Sequence, residues 1–148
     1  MPTIQQFMTE DHRRCDDIFV EIERDIQAKH WTQAQLAFAR FRHSLLQHFE
    51  AEETLLFPAF EARTGMTQGP TQVMRHEHAE MRELLQAAND ALTAQDGPRY
   101  SGEAETLLIM MQQHNVKEEH VLYPLCDQRL HDEADALVTR LQACINPS

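Results

Sequence analysis

Hydrophobic residues recur at helical spacing along almost the whole chain, and four stripes can be traced. They are Met8, His12, Cys15, Phe19, Ile22 and Ile26; Phe41, Leu45, His48, Glu52 and Leu55 or Leu56; Met74, His78, Met81, Leu85, Ala88 and Leu92; and Leu107, Met111, His114, Glu118 and Val121 or Leu122. Steps of three and four residues put each set on one face of a helix. Breakers divide the chain into predicted helices over residues 9–29 (or already from 3), 32–63, 70–95 and 101–129, with a shorter one over 132–144. Thr32 reads as an N-cap, and Glu103 and Glu105 suit the positive end of a helix beginning near Ser101. Pro58 and Pro124 fall inside their stretches and predict a kink or break beyond Glu52 and Glu118. Short connections make each pair of helices an antiparallel hairpin. The prediction is an all-α, up-down-up-down four-helix bundle built from two helical hairpins, followed by a short C-terminal helix. It forms a single domain over residues 1–148, with repeats over about 3–63 and 70–129 joined by TGMTQGP.

The polar residues inside those stripes are duplicated. HFEAEETLLFP, from His48, returns as HNVKEEHVLYP, from His114, sixty-six residues later. The same offset carries His12 onto His78, Asp11 onto Glu77, Met8 onto Met74 and Pro58 onto Pro124. Each repeat thus sends one isolated His and one His-x-x-x-Glu pair into the core. Burying such groups uncompensated costs several kcal/mol for each unpaired charge, against a total stability of roughly 5–15 kcal/mol. A hydrogen-bonded polar core would satisfy a single buried His. Six groups at matched positions, His12, His48, Glu52, His78, His114 and Glu118, instead predict a ligand set for two metal ions, the carboxylates able to bridge them.

Composition narrows the partners. Only four Gly and six Pro interrupt a chain rich in good helix formers. A formal net charge of −11 offers no basic face for nucleic acid and argues against anionic membranes. The opening MPTIQQFMTEDHRR lacks a basic region followed by an apolar stretch, and no run of eighteen apolar residues occurs, so neither export nor membrane insertion is expected. Cys15, Cys126 and Cys144 form no Cys-x-x-Cys pair and are odd in number, which suits a reducing cytoplasm.

HFEAEE, HNVKEEHVLYP and the Glu77-His78 pair resemble the hemerythrin-like family, also described as the HHE cation-binding domain, over nearly the whole chain. The resemblance implies a four-helix bundle holding a di-iron centre. It implies His12 as the first-helix ligand, His48 and Glu52 as the second-helix pair, His78 on the third helix, His114 on the fourth, and Glu118 as a bridging carboxylate. Oxygen-carrying hemerythrins have His-x-x-x-His on the third helix; here Met74 and Arg82 stand four residues either side of His78, so reversible oxygen carriage is not implied. Those carriers also place the fourth-helix acid five residues after its His, which selects Glu119, whereas internal symmetry with Glu52 selects Glu118. Glu119 and its mate Glu53 stand as ligands or as acids behind ligands. The paired His-x-x-x-Glu pattern also resembles di-iron proteins that repair iron–sulfur clusters, without their further ligands. The Glu-x-x-His pattern of ferritin-like oxidases is missing, since Thr9, Leu45, Arg75 and Met111 stand three residues before the four His.

Oxygen and nitrogen donors without thiolate suit iron or manganese, with zinc as a ready substitute. Two irons, oxo- or hydroxo-bridged, are expected, with positions left for a diatomic or peroxide ligand. The expected function is a non-haem di-iron protein that binds or senses small ligands such as dioxygen, or stores iron. The alternatives are a di-iron redox enzyme acting on peroxide or nitric oxide, a part in iron–sulfur repair, or a metal-free helical interaction module. Whether the chain turns over a substrate is left open by the residues. Asp11 and Glu77 read as acceptors orienting His residues on neighbouring helices. Cys15 reads as a small buried hydrophobe. His30, His43, His120 and His131 read as surface residues, and His76 faces away from His78. Tyr123, opposite Phe57 in the repeat, reads as packing, with a hydroxyl that a site nearby could use.

Overall fold

In the computed structural model, which describes residues 1–146, the first helix, α1 (Ile4–Gln27), starts at a capping box. The Gln6 N–H donates to Thr3 Oγ1 and the Thr3 N–H to Gln6 Oε1, each at 3.0 Å, satisfying two N–H groups that the helix itself leaves free. Helix α2 (Trp31–Ala51) returns antiparallel to α1, and α4 (Pro70–Thr93) and α5 (Gly97–Lys117) form the second hairpin. Contacts of α2 with α4 and of α1 with α5 close an all-helical bundle.

Both hairpin turns use the same device. Lys29 and Gln95, sixty-six residues apart, take the left-handed conformation at φ 59° and 55°. Around them the His30 N–H donates to the Asp25 carbonyl and the Lys29 N–H to that of Ile26, and Asp96 and Gln95 do the same to Ala91 and Leu92. Helix α2 begins at Trp31, so Thr32 lies in its first turn and does not cap it. Helix α5 begins at Gly97, earlier than Ser101, because the Asp96 carboxylate accepts from the Arg99 N–H and Pro98 sits in the first turn, where a missing N–H loses no bond.

Pro58 and Pro124 do not break their helices. A π-helical turn, Glu52–Leu56, joins α2 to α3 (Phe57–Thr64), and a second, Glu118–Leu122, joins α5 to α6 (Tyr123–Arg129). The Phe57 N–H donates five residues back to the Glu52 carbonyl, and the Tyr123 N–H does the same to Glu118. A proline next in line cannot donate and would press on the carbonyl four residues before it; the wider turn makes room while the helix continues. The Glu53 carbonyl, five residues before Pro58, accepts from Arg75 at 3.4 Å.

Two apolar clusters lie along the bundle, with the buried His and Glu residues in neither. One holds Phe19, Phe38, Phe41, Leu85 and Leu107 among others; the second holds Ile4, Met8, Phe57, Phe60, Leu122 and Tyr123. Helix α7 (Ala134–Ile145) packs Leu137, Val138, Leu141 and Ile145 into the second cluster against α1 and α2. Acids on α3 and α6 clamp the starts of α4 and α1. The Asp127 carboxylate accepts from the N–H groups of Ile4 and Gln5, and its repeat mate Glu61 accepts from Thr71 and Arg75. No helix among the described residues is long and apolar enough to cross a membrane.

Candidate metal centre

Four helices bring one imidazole each to a common level: His12 from α1, His48 from α2, His78 from α4 and His114 from α5. Glu52 and Glu118 join them as the first residues of the two π turns. None of the six is more than 4 % exposed, and both carboxylates are fully buried. The donor atoms of His12, His48 and Glu118 lie within 4.8 Å of one another, as do those of Glu52, His78, His114 and Glu118. Glu118 belongs to both sets: its Oε1 stands 3.1 Å from His12 Nε2 and 3.2 Å from His114 Nε2. Glu52 Oε1 lies 3.1 Å from His78 Nε2 and 3.6 Å from His48 Nε2. All six residues singled out by the duplication therefore meet in one place.

Behind each imidazole stands a carboxylate from a neighbouring helix. Nδ1 of His48 donates to Asp11, Nδ1 of His78 to Glu53 and Nδ1 of His12 to Glu119, each at 2.7 Å, and Nδ1 of His114 donates to Glu77 at 2.8 Å. The bonds run round the bundle in order: α1 holds the His of α2, the first π turn that of α4, α4 that of α5, and the second π turn that of α1. Arg14, Arg82 and Lys117 in turn hold Asp11, Glu53 and Glu77. With Nδ1 donating outward, a neutral ring presents the lone pair of Nε2 to the centre, the tautomer a metal requires. Glu118 thus enters the layer, while Glu119 and Glu53, about a quarter exposed, stand behind imidazoles. Asp11 and Glu77 take the orienting positions expected of them.

The layer is strongly polarised. Burial pulls the His114 imidazole down, but Glu118, Glu52 and Glu77 overcome it and lift it to about 9. His12, His48 and His78 are likewise raised above their ordinary value against the pull of burial. Burial pushes Glu53 up, yet its bonds to His78 and Arg82 bring it down to about 2. Protons can therefore balance the layer in part, but not its geometry. Glu52 Oε1, Glu118 Oε2, His78 Nε2 and His114 Nε2 are buried and make no hydrogen bond. Four such atoms in one layer are a concentration that buried polar groups in folded proteins do not normally show. They converge on shared space and form a nitrogen and oxygen donor set, so these residues fit bound cations. Cys15 is buried and its thiol is pushed up to about 11, chiefly by burial, which keeps it a protonated hydrophobe.

Tyr123 does more than pack. Its hydroxyl lies 2.7 Å from Glu52 Oε2, 3.0 Å from Glu118 Oε1, 3.1 Å from His48 Nε2 and 3.2 Å from His12 Nε2. Burial, with Glu118 and Glu52 alongside, drives the phenol well above its ordinary range. Its repeat mate, Phe57, stacks 5.8 Å from His78, and Phe49 stacks on the same ring at 3.9 Å. The two halves of the layer therefore differ, one bearing a phenol and the other two phenyl rings. The signal in the sequence was the hydroxyl gained between LLFP and VLYP.

His30, His43, His120 and His131 are exposed. His76 is also exposed and pairs with Glu80 at 2.9 Å. A surface groove lined by Val73, Arg75, His76, Met110 and Gln113 touches the layer through Glu77. The family model for the hemerythrin HHE cation binding domain matches residues 3–126, which include every residue of the layer. No curated protein and no solved structure matches the chain.

Proposed function

The chain belongs to the hemerythrin HHE cation-binding family, and on that premise we propose that it is a non-haem di-iron protein that binds or senses a small ligand such as dioxygen, or stores iron. The observation that carries this reading is the ring of four imidazoles, each turned inward by a carboxylate behind it, around two buried carboxylates with unpartnered oxygens. His12 and His48 would hold one ion and His78 and His114 the other, with Glu52 and Glu118 shared between them. Bound iron would supply coordination positions for a small ligand and a one-electron couple. The chain's own residues supply the rest. Asp11, Glu53, Glu77 and Glu119 fix the ring tautomers, and the apolar clusters exclude water and restrict entry to small molecules. In this reading the two repeats act as one domain, and the odd cysteine count suits the cytoplasm.

The test is metal content per chain in protein isolated anaerobically from iron-fed cells, beside a His114→Ala, Glu118→Ala double variant. Two irons per wild-type chain, lost in the variant, is the expected result. An iron-free protein that folds equally well with and without the two side chains would sink the reading and leave a helical interaction domain. With iron bound, spectral titration with dioxygen, peroxide and nitric oxide identifies the ligand. Sustained turnover with a reductant would make the protein a redox enzyme.

A further inference from the structure

Resting on the di-metal reading, we propose that Tyr123 is a seventh protein ligand, coordinating through its phenolic oxygen the ion held by His12 and His48. The argument is one of spacing. Neighbouring ligands of an octahedral ion with bonds of about 2.1 Å lie about 3.0 Å apart. The Tyr123 oxygen lies 2.7–3.2 Å from one atom of each of Glu52, Glu118, His48 and His12. Four separations near the edge of a coordination polyhedron, made to residues on α1, α2 and the two π turns, place the oxygen at a vertex that those ligands share. Hydrogen bonding accounts for only part of the arrangement: the one phenolic proton serves Glu52 or Glu118 but not both, and the oxygen accepts from His12 or His48 Nε2 only where that ring carries a second proton. Coordination replaces the O–H bond by an oxygen–metal bond and releases one proton to solvent.

The position is a built one. Tyr123 is fully buried, and its backbone N–H is fixed to the Glu118 carbonyl by the second π turn, so the same turn aims both side chains. The equivalent vertex at the His78 and His114 ion is faced by Phe57, which has no donor atom. One ion therefore gains a phenolate that the other lacks, which leaves more open positions at the ion on the side lined by Phe49 and Phe57.

The chain holds two tyrosines, Tyr100 and Tyr123, and Tyr100 packs against Phe38 in the other apolar cluster. Resonance Raman spectra of the iron(III)-loaded protein, excited in the visible phenolate-to-iron charge-transfer band, therefore test the assignment alongside iron content. The expected result is two irons per wild-type chain, with tyrosinate ring modes that persist in Tyr100→Phe and vanish in Tyr123→Phe. Two irons without those modes in the wild type would overturn the role of Tyr123 and leave the di-metal reading standing. Modes that survive Tyr123→Phe would also overturn it. A wild type that takes up no iron would overturn both. The wild-type spectrum and Tyr100→Phe decide the matter even if Tyr123→Phe does not fold.

Discussion

At each imidazole the partner on the far side of the ring governs how well the near side can bind. Glu53 joins His78 Nδ1 to the Arg82 guanidinium, so Glu53→Gln keeps the shape of the side chain but removes the charge that orients and polarises the ring. The expected outcome is a loss of about 10–100-fold in metal affinity with unchanged helicity, read by chelator competition and circular dichroism. The metal-free protein should also respond to pH in a defined way. His114 rises from an ordinary 6.5 to about 9 on folding, so its stabilisation is complete below 6.5 and lost as pH climbs through 9. Glu53 falls from 4.5 to about 2, so its stabilisation is complete above 4.5 and lost as pH drops toward 2. Urea denaturation of the metal-free protein should accordingly give a lower midpoint at pH 9.5 than at pH 6. These inner residues were legible because duplication separates them from incidental histidines. Periodicity gives the face of a residue but not the reach of its rotamer. Glu53 and Glu119 could thus be read as ligands or as acids behind ligands, and the hydroxyl of Tyr123 passed for packing.

At the level of the helix, the less expected features are the turns. Four long stripes sufficed to foresee the hairpins, but a π turn inserts one residue and shifts the register within a stripe. Besides Pro58 and Pro124, its trace in the sequence was ambiguity, Leu55 or Leu56 and Val121 or Leu122; the structure buries Leu56 and Leu122 and leaves Val121 exposed. The predicted end of the third helix at residue 95 names the place but not the device: the left-handed residue there is Gln95, not a glycine. A side chain pays a steric penalty there of about 1–2 kcal/mol, partly offset in glycine by the entropy of a freer unfolded chain. Gln95→Gly is expected to stabilise by about 0.5–1 kcal/mol in chemical denaturation. Helix α7 seals one of the apolar clusters. Leu141→Ala, at a fully buried position, should cost about 2–5 kcal/mol, measured the same way.

For the molecule as a whole, cation binding and folding are one equilibrium. The layer lies between elements that come together only when the bundle closes, so metal that binds the folded chain alone stabilises it by about 2.7 kcal/mol at a free concentration one hundred times Kd. Thermal melting with and without chelator should therefore show the metal-loaded protein melting higher. The ring of carboxylates has another consequence, for the path of the chain. Viewed from one end of the bundle, α1 and α4 recede and α2 and α5 approach, so successive residues turn clockwise in the first pair and anticlockwise in the second. Asp11 and Glu77 precede the inward-facing His by one residue, whereas Glu53 and Glu119 follow the inward-facing Glu by one. All four acids thus lean anticlockwise, each toward the next of the four helices round the bundle. An up-down-up-down chain can wind round its bundle in either of two mirror-related senses, and the opposite sense would swing every acid away from the imidazole it now holds. A one-residue offset, minus on the outgoing helices and plus on the returning ones, therefore encodes the chirality of the whole fold.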